Sequence, residues 1–148
     1  MPQPDNASLC DFLNTLLEAE RAGAKAATVF SREYAEGPAA GLVEQVRRDE
    51  AWCCGMLSGW VSRLGGVPGS RTGDFLEKAL AKQGLEARLG FLNRGQEWVV
   101  RKLQEMIPQL EEDGLRKDLV LMLDLHVHNI SECAAYLARG LTTGPASG

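Results

Sequence analysis

The sequence predicts an all-α fold, a four-helix bundle within a single domain. Its 148 residues amount to one ordinary domain. Ala and Leu are abundant, and no segment alternates apolar and polar residues with the period of two that is typical of a half-buried strand. Four long segments instead repeat apolar residues with helical spacing, which is the pattern of amphipathic helices packed around one core. We therefore treat residues 1–148 as one helical domain.

The first two predicted helices have recognisable start and stop signals. The first covers about residues 8–36, with Ser8 as a suitable N-cap residue and Pro38 in the break that follows. The second covers about residues 39–64, and Gly65 directly after it is typical of a helix C-cap.

The last two predicted helices are separated only by a proline. The third covers about residues 85–107 and ends before Pro108. The fourth covers about residues 109–139, with Gly114 as a position where it could kink. Residues 141–148 are small and polar, and we expect a flexible tail there.

The connection between the second and third helices is much longer than a hairpin requires. It covers residues 65–84, with a Gly/Pro/Ser-rich part over 65–73 and a short helix expected over 74–82. Nine extended residues reach about 30 Å, which is enough to travel the length of a bundle. We therefore expect a crossover, which makes the second helix parallel to the third and the first parallel to the fourth.

Each predicted helix carries one polar residue at the centre of its apolar stripe. These residues are Glu20, Glu50, Gln96 and His126, and we call them the polar layer. Each also lies near the midpoint of its helix, so packing four helices together brings all of them to one depth in the core. Burying an unpaired carboxylate costs several kcal/mol or changes its protonation. The layer therefore needs protons, hydrogen bonds or a cation.

A bundle with a long crossover and a Glu/His layer at mid-height resembles the ferritin-like superfamily. That family's di-metal pattern is a Glu, a Glu-x-x-His, a second Glu and a second Glu-x-x-His on successive helices. Three positions of the pattern are matched, by Glu20, Glu50 and His126. The other three positions are occupied by Cys53, Gln96 and Leu123. The segment 91–101 (FLNRGQEWVVR) also resembles bacterial ferritin-like proteins.

Two interpretations of the layer follow. In the first it binds a single iron, manganese or zinc ion through Glu20, Glu50 and His126, with Cys53 or Gln96 as further ligand candidates. If the ion is redox-active iron, the resemblance implies oxygen or peroxide chemistry. In the second interpretation the layer is metal-free and holds the hydrogen-bonded pairs Glu50–His126 and Glu20–Gln96. The bundle would then act through its surface as a dimerisation or partner-binding module.

Three residues one turn away from the layer are candidates for orienting it. Asn93 and Asn129 lie at the edges of their stripes, where they could form hydrogen bonds across the seam between the third and fourth helices. Arg47 could act in the same way, or it could extend its charged group to solvent.

Two tryptophans are predicted to point away from the core. Trp52 and Trp98 lie at one height if their helices are parallel, so they could form a homodimer interface. Alternatively, the connection over residues 65–84 could cover them.

Charge and motifs exclude several partners and activities. A net charge of −4 and a pI near 5.2 argue against nucleic acid as a partner. No apolar run approaches the roughly 18 residues of a membrane helix. The first residues lack signal-peptide features and the four cysteines are irregularly spaced, so we expect a cytoplasmic protein without disulfides. No P-loop, nucleophile elbow or zinc-ribbon motif is present, and nothing indicates a kinase or hydrolase.

Overall fold

The computed structural model describes residues 3–143 of the chain, and within that range every regular element is helical. The five α-helices are α1 (Asn6–Glu33), α2 (Ala40–Arg63), α3 (Phe75–Ala81), α4 (Leu85–Met106) and α5 (Asp113–Thr143). The predicted all-α fold class is thereby confirmed. Among the described residues, no helix is both long enough and apolar enough to cross a membrane.

The first helix begins one turn earlier than the sequence predicted. The Asp5 carboxylate accepts a hydrogen bond of 2.8 Å from the Ser8 backbone N–H, so Asp5 is the N-cap residue and Ser8 lies inside the helix. Aspartate and serine cap helices about equally well, and sequence alone favours neither. At its other end α1 stops at Glu33 rather than near residue 36, and Tyr34 is its C-cap.

The start and end of α5 also differ from the prediction. A 3-10 turn over Ile107–Gln109 follows α4, and α5 begins only at Asp113. The expected kink at Gly114 is therefore wrong, because Gly114 lies in the first turn, where its N–H bonds to Glu112 Oε1 at 2.8 Å. At the other end α5 continues to Thr143. The remainder of the predicted flexible tail, residues 144–148, lies outside the described residues.

The helices α1 and α2 run antiparallel. At one end of the pair Cys10 Sγ lies 3.8 Å from the Val61 carbonyl oxygen. At the other end Ser31 Oγ lies 3.4 Å from Glu44 Oε2. An ion pair between Glu33 and the Arg88 guanidinium places the start of α4 beside the end of α1. Since α2 and α4 are both antiparallel to α1, they are parallel to each other.

The helices α2 and α5 also run antiparallel. The Trp60 indole donates a hydrogen bond of 2.8 Å to Asp118, and the Gln45 amide donates one of 2.7 Å to Asn129. Within the described residues no Cα atom of α2 lies within 8 Å of one in α4, and the same holds for α1 and α5. Each of these pairs therefore occupies opposite corners of the helix assembly, and neighbouring helices alternate in direction.

This arrangement separates the two tryptophans that were predicted to form one face. Trp52 on α2 is 42% exposed. Trp98 on α4 is partly buried against the core, with the Lys102 ammonium over its ring. Because α2 and α4 lie at opposite corners, the proposed Trp52/Trp98 patch is not assembled, and the prediction of one shared surface is wrong.

The connection between α2 and α4 follows the side of α1. The Asn14 side chain donates to the Val67 carbonyl at 3.1 Å and accepts from the Gly69 N–H at 2.8 Å. Further along α1, Arg21 donates to the Arg71 carbonyl at 3.1 Å. The connection then forms α3, which packs on both α1 and α4. Polar side chains of α1 therefore hold the connection in place.

The apolar core is divided into two clusters by the polar layer. One cluster fills the end formed by the start of α1, the ends of α2 and α4 and the start of α5. The other fills the opposite end, where Ala26, Phe30, Val43 and Leu89 are fully buried. The polar layer lies between them, and that position determines the electrostatics of the candidate site.

Candidate metal centre

All four residues of the polar layer are buried. The exposed fraction is 1% for Glu20, 3% for Glu50, 2% for Gln96 and 1% for His126. The prediction that these four polar residues lie inside the core is therefore confirmed. Four helices each contribute one side chain, so the site exists only when the helices are packed.

The closest contact in the layer joins His126 to Glu20. His126 Nε2 lies 2.9 Å from Glu20 Oε1 and 3.0 Å from Oε2. Both oxygens of the Glu20 carboxylate therefore face the same ring nitrogen. The sequence analysis paired Glu50 with His126 and Glu20 with Gln96 for a metal-free layer, and both pairings are wrong.

A backbone contact determines the tautomer of His126. Its Nδ1 lies 2.9 Å from the Met122 carbonyl oxygen, one turn back on α5. A carbonyl oxygen only accepts hydrogen bonds, so Nδ1 carries a hydrogen. The other ring nitrogen, Nε2, then faces the Glu20 carboxylate with either a proton or a free lone pair. Metal-binding histidines are commonly oriented in this way, with the second nitrogen bonded to a carbonyl.

The environment favours a positive charge at His126. Burial lowers the pKa of His126, but the charge of Glu20 and its hydrogen bond raise it, and the Met122 carbonyl and Asp49 add to that effect. The net pKa lies above the ordinary value of 6.5. A proton or another cation is thus stabilised between the ring and Glu20.

Cys53 completes a group of three potential ligands. Its Sγ, a carboxylate oxygen of Glu20 and a ring nitrogen of His126 all lie within 4.8 Å of one another. Burial raises the pKa of the Cys53 thiol well above its usual range, and the nearby charges of Glu20 and Glu50 raise it further. The thiol is therefore protonated unless a metal ion displaces the proton.

Glu50 is buried beside this group but is not part of it. A Cβ atom at Gly23 would lie 1.9 Å from Glu50 Oε2, so the carboxylate is in contact with the backbone of α1 where that helix lacks a side chain. Burial raises the pKa of Glu50 well above its ordinary value, and the negative charges of Glu20 and Asp49 raise it further. Within the described residues its Oε2 has no hydrogen-bond partner.

Gln96 is held by one of the predicted orienting residues. Its Nε2 donates to Asn93 Oδ1 at 3.4 Å, and Asn93 Nδ2 donates to the Ile130 carbonyl at 3.2 Å. The expected contact of Asn93 across the seam to the last helix is thus present. The Gln96 Oε1 atom has no hydrogen-bond partner among the described residues.

The other two orienting candidates have different partners from those expected. Asn129 donates to Asp49 at 3.0 Å and accepts from Gln45, so it joins α5 to α2 rather than to α4. Arg47 forms an ion pair with Glu44 at 2.5 Å, and 36% of its side chain is exposed. Arg47 therefore does not orient the polar layer, and the alternative of a solvent-extended side chain is correct.

The four cysteines are free thiols. Burial raises the pKa of Cys54 to about 12 and that of Cys133 to about 11, with the charge of Glu50 contributing at both. Neither is a thiolate at neutral pH, and of the four cysteines Cys53 alone belongs to the group of potential ligands.

A cleft of about 660 Å³ reaches the layer from outside. It lies between α1, α3 and α4, and the layer residues Glu20, Glu50 and Gln96 line it together with Gly23. Sequence reasoning missed this cleft. Gly23 offered a signal, since a glycine inside a helix costs about 1 kcal/mol relative to alanine and needs a reason to be there.

Comparison with known proteins identifies the family of the chain. Residues 7–135 match the model of a family described as a domain of unknown function (DUF6306). No curated protein and no solved structure gives a match to the chain. The matched segment contains every residue of the polar layer, together with Cys53. The chain therefore belongs to the DUF6306 family.

Proposed function

We propose that the protein is a ferritin-like four-helix bundle that holds one divalent metal ion in its polar layer. Glu20, Cys53 and His126 would be the ligands, and iron, zinc or manganese the ion. The observation that carries this proposal is the buried group of three potential ligand atoms within 4.8 Å of one another. With redox-active iron bound, such a site would supply oxygen or peroxide chemistry.

The donor atoms suit a metal ion in number, type and charge. Metal–ligand bonds are about 2.0–2.3 Å long, so two ligand atoms on one ion lie up to about 4 Å apart. Small side-chain movements would bring the three atoms from within 4.8 Å to that separation. A carboxylate and a thiolate would balance the two positive charges of the ion, and a thiolate favours zinc or iron over manganese. The contact of Nδ1 with the Met122 carbonyl leaves Nε2 directed at the Glu20 carboxylate, so an ion bound there would replace the proton of Nε2.

The buried carboxylate of Glu20 supports the same interpretation. Both of its oxygens lie within 3.0 Å of His126 Nε2, and the Cys53 thiol is the other polar group beside it. A buried carboxylate needs a proton or a positive charge next to it. A cation between these three side chains would supply that charge.

The topology agrees with a ferritin-like bundle. In that superfamily a long connection joins two parallel helices, and the metal ligands come from the middle of the bundle. The parallel α2 and α4, the connection along α1 and the polar layer between two apolar clusters all fit this description. Glu50 and Gln96, expected as ligand candidates, line the cleft instead of joining the three-residue group.

Metal analysis of protein purified without chelator tests the proposal. We expect about one equivalent of a single transition metal per chain by plasma mass spectrometry. His126→Gln should reduce the metal content to background. His128→Gln is the matched control on the same helix, because the His128 side chain is 57% exposed, and it should retain the metal. Equal metal content in both variants would rule out this site.

A further inference from the structure

We propose that the cleft between α1, α3 and α4 binds a small organic molecule with a protonated amine and an apolar body. The amine would lie against Glu50 and Gln96 at the inner end. This inference concerns residues outside the three proposed metal ligands, and it does not require that the metal is bound.

The cleft is far larger than oxygen or peroxide would need. Its volume of about 660 Å³ compares with roughly 30 Å³ for one water molecule in the liquid. Sites for small organic ligands span roughly 300–1,000 Å³. The cleft is therefore large enough for an organic molecule.

The inner end of the cleft offers acceptors that lack donors. The side chains of Glu50 and Gln96 line the cleft, and each has one buried oxygen, Oε2 of Glu50 and Oε1 of Gln96, without a hydrogen-bond partner within the described part of the chain. A metal ion on Glu20 would leave both of these atoms unpaired. An ammonium group carries three donors and a positive charge, so an amine at the inner end would supply the donors that these side chains lack.

The walls of the cleft are largely apolar and aromatic. Phe75 of α3 stacks on Phe91 of α4 with ring centroids 4.8 Å apart. Trp98 and Leu92 also line the cleft. A Cβ atom at position 95 would lie 2.7 Å from the Phe75 ring, so Gly95 allows this ring to pack against α4. These surfaces suit an alkyl or aryl body.

The charges favour a cation over an anion at the inner end. The two deepest charged side chains, Glu20 and Glu50, are both acidic. The basic residues of the lining, Arg94 and Arg101, are exposed, while Lys78 is paired with an aspartate at 2.9 Å. An organic anion would pair with these exposed groups and would leave the buried acceptors unpaired.

Calorimetric titration of the metal-free full chain tests the proposal with matched probes. 2-Phenylethylamine and hexylamine should bind, whereas 3-phenylpropionate, which has a similar body and the opposite charge, should not. Glu50→Gln keeps the size of the side chain and should weaken amine binding by about tenfold or more, because a charge-assisted hydrogen bond is lost. Glu97→Gln, an exposed carboxylate on α4 outside the cleft, should leave the affinity unchanged.

Several outcomes would overturn the proposal. Binding of 3-phenylpropionate as tight as that of the amines would assign the cleft to anions. Unchanged amine affinity in Glu50→Gln, with Gln96→Leu also unchanged, would show that the inner acceptors play no part. No binding of either amine at millimolar concentration would reject the site. His126→Gln should abolish metal binding but keep amine binding, so this inference and the metal proposal fail separately.

Discussion

At the scale of single residues, Glu50 shows the strongest conflict between burial and charge. Its carboxylate is almost fully buried and has an oxygen without a hydrogen-bond partner among the described residues. Glu20, Asp49 and Cys53 surround it without offering a positive charge. A neighbouring cation would stabilise the charged carboxylate. Without one, the protonated and neutral form of Glu50 is favoured.

This conflict predicts how the stability of the metal-free protein depends on pH. Because the pKa of Glu50 is raised in the folded state, its contribution to stability is complete below about pH 4.5 and declines as pH increases through the folded-state pKa. Glu50→Gln has no such proton to lose. In chelator at pH 7, we expect the variant to be about 1–3 kcal/mol more stable than the parent protein.

Urea denaturation between pH 4.5 and 8 measures the effect. The stability difference between Glu50→Gln and the parent should be near zero at the acidic end and should increase with pH. His126 also has a raised pKa, so its contribution is lost as pH increases above 6.5, but this loss affects both proteins and cancels in the difference. A difference that stays constant with pH would contradict the buried, proton-binding state of Glu50.

At the scale of elements, α1 is adapted to its neighbours along its whole length. Gly23 admits the carboxylate from α2, and Asn14 and Arg21 hold the connection that leads to α3. A glycine inside a helix costs about 1 kcal/mol relative to alanine, and here the missing side chain makes room for Glu50.

Alanine substitutions at two helical glycines test whether Gly23 is needed for packing. Gly23→Ala places a Cβ atom on the Glu50 carboxylate, so we expect it to destabilise the protein by about 1–3 kcal/mol. Gly59→Ala on α2 is the matched control, because a Cβ atom there meets no other atom within 4 Å. It should stabilise the protein by about 0.4–1 kcal/mol. Equal effects of the two substitutions in urea denaturation would show that Gly23 has no packing role.

Element boundaries also mark the limit of what the sequence could predict. Apolar periodicity with Gly and Pro breaks located every helix, because these signals are local. Asp5 capped α1 in place of Ser8 because two suitable residues stood near the start. Which layer residues touch was not predictable, since the rotation of each helix depends on packing. Cys53 therefore replaced Glu50 in the ligand group, and His126 paired with Glu20.

At the scale of the whole molecule, the polar layer interrupts an otherwise continuous core. Two apolar clusters lie on either side of it, and each could stabilise only its own end of the helices. Glu20, Cys53 and His126 come from three different helices and lie far apart in the sequence. A metal ion on these residues would link α1, α2 and α5 at the level between the two apolar clusters.

This arrangement predicts that the metal contributes strongly to folding stability. The unfolded chain cannot hold three ligands so far apart in sequence at one point, so the ion binds the folded state almost exclusively. At a free metal concentration of about 100 Kd, the stabilisation is about 2.7 kcal/mol. For a chain of this size each kcal/mol shifts Tm by about 2–4 °C, so removal of the metal should lower Tm by about 5–10 °C.

Thermal unfolding with and without chelator, followed by re-addition of the metal that copurifies, measures this shift. The parent protein should lose Tm in chelator and regain it with the metal, and His128→Gln should behave in the same way. His126→Gln should unfold at one temperature under all three conditions, because it lacks the nitrogen ligand. If chelator removes the metal from the parent protein and Tm does not change, the ion is bound at the surface and not between the helices.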